Sequence, residues 1–227
     1  MSVDVKVVRR SEHRTSSWSG GETTELAIFP PQSQYQARNF AWRISSATVT
    51  VANSEFTRLP GYERHLLLLD GKLRLKPADD PETKLKPGQQ YSFHGETPIT
   101  SFGLATDFNL MLAAGWAGCV THVTLSPGES FHWQPAKALR GRAWEAAADD
   151  DADADGGTST SRHALAFCWR GQAGFLLPDD GTRRLDAGDL LWVTADRAFQ
   201  LGPHTITNTG NDQLISVLVT VLNSGDA

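Results

Sequence analysis

The stretch RHLLLLDGKLRL, residues 64–75, contains the features that decide the fold. The leucines Leu66 to Leu69 predict a buried strand, and Asp70-Gly71 predicts a tight turn. The alternating residues that follow predict a partner strand. Working outward, residues 40–51 and 213–222 are also rich in strand-forming residues, and almost no segment has the period of a helix. The chain is therefore predicted to be all-β.

A weak internal repeat surrounds this hairpin. Segment 66–75, with Gly71 at its turn, parallels segment 164–176, with Gly171 at its turn. The turn at Gly88 parallels the turn at Gly188, so both pairs of glycines differ by 100 in residue number. A shared order of strand, glycine turn, strand, loop and second glycine turn predicts a duplicated β domain.

We therefore predict two small antiparallel β-barrels packed together, the first over residues 1–116 and the second over residues 117–227. The second is interrupted by EAAADDDADADGGTSTS, residues 145–161. This acidic segment contains too few apolar residues to form a core and is predicted to be a disordered loop.

Composition excludes several classes of function. The chain has 227 residues, a net charge of -5 and a pI of about 5.8, which argues against nucleic-acid binding. It contains no run of about eighteen apolar residues that could span a membrane, and no secretory signal sequence. Two cysteines, Cys119 and Cys168, lie in apolar surroundings and are predicted to be buried free thiols. These features predict a reduced, cytoplasmic protein.

Two arginines, Arg43 and Arg64, lie inside strongly apolar strand segments. A buried arginine requires a partner because removing its charge from water is costly. One interpretation is an anion pocket in the N-terminal barrel, since two guanidinium groups can bind a carboxylate. Further ligand-binding candidates supply hydrogen bonds, an aromatic wall and a carboxylate: Thr24, Trp42, Ser45, Asp107 and Asn109. The alternative is that the arginines form structural ion pairs with Glu25, Glu63 or Asp107.

Five motifs follow one another in the N-terminal half: WSGGETTEL (18–26), FAWRISSA (40–47), LPGYER (59–64) with Phe56 before it, FHG (93–95) and TDFNLM (106–111). On these motifs the N-terminal half resembles the HutD/Ves family within the cupin superfamily. The resemblance implies a bicupin, that is, two cupin barrels in one chain. It also implies a bacterial protein that binds a small carboxylate, such as urocanate or a formyl or formimino derivative of glutamate, and tunes histidine utilisation.

Many cupins hold a metal ion with three histidines and a glutamate, so the resemblance raises the question of a metal. None of the seven histidines stands two residues from another: His13, His65, His94, His122, His132, His163 and His204. Arg64, seven residues before Gly71, roughly occupies the place of the metal-binding glutamate, and the corresponding residue before Gly171 is Ala164. Because a cation there would repel a divalent ion, we predict no metal and no cofactor.

Two rival functions remain open at this point. The chain could be an enzyme: a metal-free isomerase or hydrolase with His94 as general base, or a metallocupin with scattered ligands. His65 is adjacent to Arg64 on a strand and should face away from the barrel interior. Alternatively, the acidic segment around 149–155 or an exposed strand edge could recruit a protein partner. Self-association as a homodimer also stays open.

Overall fold

The structure is a computed structural model that describes residues 3–78, 80–135, 161–177, 181–196 and 204–223. Its contacts divide the chain into two units, residues 13–114 and residues 1–12 together with 115–227. The described elements are strands, apart from a 3-10 turn at Arg10–Glu12, which confirms the all-β prediction. In these residues no helix has the length and hydropathy needed to cross a membrane.

The unit of residues 13–114, here called the N-terminal barrel, contains ten strands in two sheets. The six-stranded sheet has the order β2-β3-β4-β11-β6-β9, and the four-stranded sheet has the order β5-β10-β7-β8. The strands are β2 (Arg14–Trp18), β3 (Gly21–Phe29), β4 (Trp42–Val49), β5 (Asn53–Glu55), β6 (Tyr62–Gly71), β7 (Leu73–Pro77), β8 (Thr83–Leu85), β9 (Gln90–His94), β10 (Ile99–Phe102) and β11 (Ala105–Ala113).

The other unit, here called the C-terminal barrel, has sheets of five and four described strands. Their orders are β1-β17-β14-β19-β12 and β13-β18-β15-β16. The strands are β1 (Val3–Val8), β12 (Trp116–Leu125), β13 (Ser130–Trp133), β14 (Ser161–Arg170), β15 (Gln172–Leu177), β16 (Gly181–Asp186), β17 (Leu190–Asp196), β18 (His204–Asn208) and β19 (Leu214–Asn223).

The two barrels repeat the same strand order. The run β4-β11-β6-β9 corresponds to β12-β19-β14-β17, and β5-β10-β7-β8 corresponds to β13-β18-β15-β16. In both, the hairpin of the opening sequence repeat joins the two sheets, as β6–β7 and as β14–β15. The internal repeat predicted from the sequence is therefore present in the fold.

The repeated glycines adopt the same conformation in both copies. Gly71 and Gly171 have φ angles of 85° and 87°, a region that favours glycine because other residues meet steric conflict there. Gly88 donates its amide to the carbonyl of Leu68, and Gly188 donates in the same way to Cys168. The 100-residue offset thus reflects equivalent turns with equivalent hydrogen bonds.

The first strand differs from the sequence-based division, which placed residues 1–116 in one domain. β1 pairs antiparallel with β17, from Val3 opposite Ala195 to Val8 opposite Leu190, so residues 1–12 belong with the C-terminal barrel. The physical reason is that β17 offers an unpaired sheet edge, which β1 covers. The acidic segment predicted to be a disordered loop lies, up to residue 160, outside the described residues.

Candidate functional site

The candidate site lies on the face of the six-stranded sheet that packs against the four-stranded sheet of the N-terminal barrel. Leu66 of β6 belongs to the apolar cluster that includes Leu75 of the other sheet. Arg64, two residues before Leu66, points to the same face because side chains alternate along a strand. Met111 pairs with Arg64 on one side and with Arg43 on the other. The two arginines therefore share one row, with backbones roughly 10 Å apart across three strands.

The neighbouring rows carry the remaining polar groups. Ser45 pairs with Asn109, and Asp107 lies one row further along β11. All three side chains are buried, and by the alternation they face the same way as the arginines. We call this group, with Arg43, Arg64 and Glu25, the arginine site.

Arg43 is bound by an ion pair. Its Nε donates to Oε2 of Glu25 at 2.7 Å, and its Nη1 donates to Oγ of Ser45 at 3.1 Å. The guanidinium also lies over the ring of Tyr35, 4.4 Å from the centroid. Glu25 remains partly exposed while Arg43 is buried, so this pair extends from the interior towards the solvent. The ion-pair interpretation is correct for Arg43.

Arg64 has a different environment, because its hydrogen bonds go to neutral acceptors. Nη2 donates to Oδ1 of Asn109 at 3.1 Å, and Nη1 donates to the carbonyl of Thr57 at 3.3 Å. Its Nε has no hydrogen-bond partner among the described residues. The guanidinium lies over the stacked rings of Phe56 and Phe93, at 5.1 and 4.9 Å. Arg64 is thus a buried cation supported by aromatic faces and neutral oxygens.

Asp107 is linked to Arg64 through an amide. Nδ2 of Asn109 donates to Oδ1 of Asp107 at 2.6 Å, while Oδ1 of the same amide accepts from Arg64. Burial raises the pKa of Asp107 to about 7, although the charge of Arg64 and the bond from Asn109 act in the opposite direction. Burial also lowers the pKa of Arg64, and the charge of Arg43 adds to that effect.

These contacts set the charge of the site. Glu25 balances Arg43, whereas Arg64 is balanced only to the extent that Asp107 is ionised. With a pKa of about 7, Asp107 is largely protonated in mildly acidic solution, and the site then carries an excess positive charge. A site with a buried cation, a planar donor fork and aromatic walls favours a small planar anion.

Not every predicted residue reaches the site. Thr24 lies on the opposite face of β3, where its hydroxyl is 2.9 Å from that of Thr15. Trp42 is buried on the opposite face of β4 and stacks on Phe29 at 5.7 Å. The structure therefore brings together Arg43, Arg64, Ser45, Asp107 and Asn109 and leaves out the two others.

The histidines considered for catalysis also lie away from the arginine site. His94 is exposed, and its neighbour Phe93 is the residue of β9 that pairs with Arg64. His65 faces away from the arginines as predicted, and its Nδ1 is 2.7 Å from Oγ of Ser92.

Sequence reasoning missed the aromatic residues and the backbone acceptor around the arginines. Phe56 and Phe93 belong to the five motifs but are not among the residues that the sequence predicts for the site. Tyr35 and the carbonyl of Thr57 lie in loops, where no periodic pattern indicates direction. For Phe93 a signal existed, since Tyr91 and Phe93 alternate with polar residues on a predicted strand.

The residues of this site do not fit the metal centre of a metallocupin. Within the described ranges, no group of three His, Cys, Asp or Glu side chains lies close enough to hold a metal ion. The row that would face the ion carries Arg43 and Arg64 instead. These two cations would repel a divalent ion.

The HutD family model matches residues 10–209 of the chain. The chain belongs to the HutD family. This HutD protein is similar in structure to a conserved protein of unknown function from Pseudomonas aeruginosa, with a TM-score of 0.70 at 19% identity, covering 96% of this chain and 98% of the other. The match is as complete for HutD from Pseudomonas fluorescens in a formate condition, with a TM-score of 0.64 at 17% identity and the same coverage.

The HutD fold also matches a cupin enzyme. Oxalate decarboxylase from Bacillus subtilis superposes with a TM-score of 0.63 at 10% identity, over 94% of this chain and 76% of the enzyme. At this identity the likeness concerns the fold alone. It agrees with the two-barrel cupin architecture predicted from the sequence.

Proposed function

We propose that the N-terminal barrel of this HutD protein binds a small carboxylate at the arginine site and thereby tunes histidine utilisation. The observation that carries the proposal is Arg64, a buried cation whose hydrogen bonds reach only neutral oxygens and whose Nε is unpartnered in the described part of the chain. Buried arginines are normally matched by an anion. A ligand carboxylate would supply that anion.

The neighbouring groups support a role in orienting the ligand. Asn109 already accepts from Arg64, and its amide connects the cation to Asp107. When Asp107 is protonated it can donate a hydrogen bond, and when ionised it can accept one from an N–H group. A ligand with a carboxylate and a nearby N–H could bind Arg64 through the carboxylate and Asp107 through the N–H. Urocanate and the formyl and formimino derivatives of glutamate are such ligands.

The proposed physiological role follows from family membership. A protein that binds an intermediate of histidine breakdown without consuming it can report or limit the level of that intermediate. The cytoplasmic location predicted from the sequence is consistent with this role.

Calorimetric titration of the full-length protein tests the binding. We expect heat of binding with at least one of urocanate, N-formylglutamate and formiminoglutamate. Arg64→Ala should weaken it at least about thirtyfold, because truncating one partner of a buried charge pair typically costs 2–5 kcal/mol. Arg74→Ala is the matched control, since Arg74 is a more exposed arginine that lies over Phe102 and pairs with Glu82.

Two outcomes would reject the proposal. One is that none of the three carboxylates binds to the wild-type protein. The other is that Arg64→Ala and Arg74→Ala change the affinity equally. A growth assay on histidine as nitrogen source, with wild type or Arg64→Ala replacing the chromosomal copy, then tests the role separately from the binding.

A further inference from the structure

The interior of the C-terminal barrel contains a second group of polar side chains that the arginine site does not involve. Trp133, Phe175 and His204 form an aromatic cluster, with ring centroids 6.1, 5.8 and 5.4 Å apart. Trp133 and Phe175 belong to the apolar core of this barrel. His204 is two residues before Ile206, another core residue, and therefore faces the same interior.

The polar atoms of this cluster are buried without partners. In the part of the chain that the structure describes, the two ring nitrogens of His204 have no hydrogen-bond partner. The same is true of Nε1 of Trp133 and of the hydroxyl of Thr220. Thr220 lies on β19 two residues after Leu218, a core residue, so it also faces the interior. Buried polar groups in folded proteins are nearly always hydrogen-bonded, so this set requires an explanation.

Comparison of the barrels shows how this set is built. In the N-terminal barrel the amide of Phe56 donates to the carbonyl of Ile99, and Arg64 lies over the Phe56 ring. By strand register, Trp133 and His204 occupy the places of Phe56 and Ile99. The residue at the place of Arg64 is Ala164. Thus the C-terminal barrel has a methyl group where the N-terminal barrel has a large cation, with Thr220 paired beside it and Trp133 at the place of the ring that Arg64 covers.

The chemistry of these groups specifies the ligand class. Burial lowers the pKa of His204 to about 4, so near neutral pH its ring is uncharged and offers one donor and one acceptor. Trp133 offers a donor, and Thr220 offers both. Among the described residues of this unit the one buried carboxylate, Asp189, is already held by Arg9 and by the backbone amides of Arg10 and Asp186. A cationic ligand would therefore be desolvated without compensation. The same holds for an anionic ligand, because no lysine or arginine is buried among the described residues of this unit.

We propose that the C-terminal barrel contains a second binding site, for a small, planar, uncharged molecule with adjacent hydrogen-bond donor and acceptor atoms. The ligand class comprises neutral azoles and carboxamides. Its ring or amide plane packs against Trp133 and Phe175, and its polar atoms bond to His204, Trp133 and Thr220. This site does not depend on the carboxylate site of the N-terminal barrel.

Nuclear magnetic resonance of the full-length protein tests the site with pyrazole, which is planar, uncharged near neutral pH and carries adjacent N and N–H atoms. The protein has seven tryptophans, and the indole N–H signal of Trp133 is assigned as the one missing in Trp133→Phe. Pyrazole should shift this signal in a saturable way. The probe 1-methylpyrazole lacks the donor and should bind roughly tenfold more weakly, as expected for one lost hydrogen bond.

Variants separate this site from a general effect. Thr220→Val keeps the shape of the side chain and removes the hydroxyl, and we expect it to weaken pyrazole binding about tenfold. His204→Phe should abolish the saturable shift. Arg64→Ala, in the other barrel, should leave it unchanged. The remaining tryptophan signals report in each variant whether the fold is retained.

The proposal is overturned if pyrazole gives no saturable shift of the Trp133 signal, or if folded Thr220→Val and His204→Phe bind pyrazole as the wild type does. It is equally overturned if pyrazole and 1-methylpyrazole bind alike, since an unspecific apolar cavity would accept both. Loss of the shift in Arg64→Ala would show that the two sites are not distinct.

Discussion

The two barrels share one strand order but differ in what the inward positions of their larger sheets carry. In the N-terminal barrel the central row contains Arg43, Met111 and Arg64. The corresponding row of the C-terminal barrel contains Cys119, Thr220 and Ala164.

The next inward positions of the paired strands differ as well, with Asp107 and Asn109 in one barrel and Ser216 and Leu218 in the other. The glycine turns and the alternation of apolar residues thus specify the strand order that both barrels share, here called the frame. A few inward-facing residues decide whether the interior of a barrel is charged.

The largest expected effect comes from introducing a charged side chain into the interior of the C-terminal barrel. Ala164→Arg would place an arginine in the C-terminal barrel, where Ser216 and Leu218 stand at the places of Asp107 and Asn109. We expect the free energy of unfolding to fall by about 3–5 kcal/mol, the typical cost of an uncompensated buried charge. Urea denaturation measures the loss. Ala164→Met controls for the volume of the side chain, and equal losses for the two variants would contradict the charge argument.

The strand order that the two barrels share is tested by substitutions at the repeated turn glycines, Gly71 and Gly171. A Cβ at Gly71 would lie 2.3 Å from the carbonyl oxygen of Leu104, and at Gly171 it would lie 2.9 Å from that of Gln213. Alanine at either position should therefore cost about 2–5 kcal/mol, the sum of left-handed strain and a steric conflict. Thermal denaturation measures both.

The control for this comparison is Gly61, which has a φ of 80° but open space around its Cβ position. Gly61→Ala should lose only the strain of about 1–2 kcal/mol. If Gly71→Ala is no worse than Gly61→Ala, the close approach at the turn has no energetic importance.

The smallest expected effect, taken per pH unit, is the pH dependence that Asp107 contributes in the N-terminal barrel. The pKa of Asp107 is raised from 3.8 to about 7 in the folded state, so between these values the folded protein binds more protons than the unfolded chain. Stability contributed by this group therefore decreases as pH rises through that window, by at most about 1.4 kcal/mol per pH unit. Carboxylate binding should weaken in the same direction as Asp107 becomes ionised.

Asp107→Asn isolates the contribution of this group. The variant resembles the protonated carboxyl, so the stability of the wild type relative to the variant should decrease as pH rises from 5 to 8. The carboxylate affinity of the variant should vary less over the same range. Denaturation and calorimetric titration at several pH values measure the two effects. An unchanged pH profile in Asp107→Asn would assign the titration to another group.

Much of this frame could be predicted from the sequence because its signals are local. The glycine turns at 71 and 171 have a conformational reason, and alternation along β4 and β11 places Arg43 with Ser45 and Asp107 with Asn109. The same alternation would have excluded Trp42, which is adjacent to Arg43 and so faces the other way. That error was avoidable.

The position of Thr24 could not be predicted in this way. Thr24 is four residues before Ile28, which pairs with Arg43, so simple alternation would place it at the site. A register shift between Glu25 and Ala27 reverses the alternation and turns Glu25 inward instead. The loop residues around the arginines and the pairing of β1 with β17 depend on contacts distant in sequence, which no local pattern reveals.

The pairing of β1 with β17 has a consequence for the order of events during synthesis. Residues 13–114 can complete both of their sheets before the second half of the chain exists, whereas Val3–Val8 must wait for Leu190–Asp196. At 5–20 residues per second the delay is about 10–40 s. Residues 3–8, which are synthesised before residues 13–114, thus enter their sheet after them.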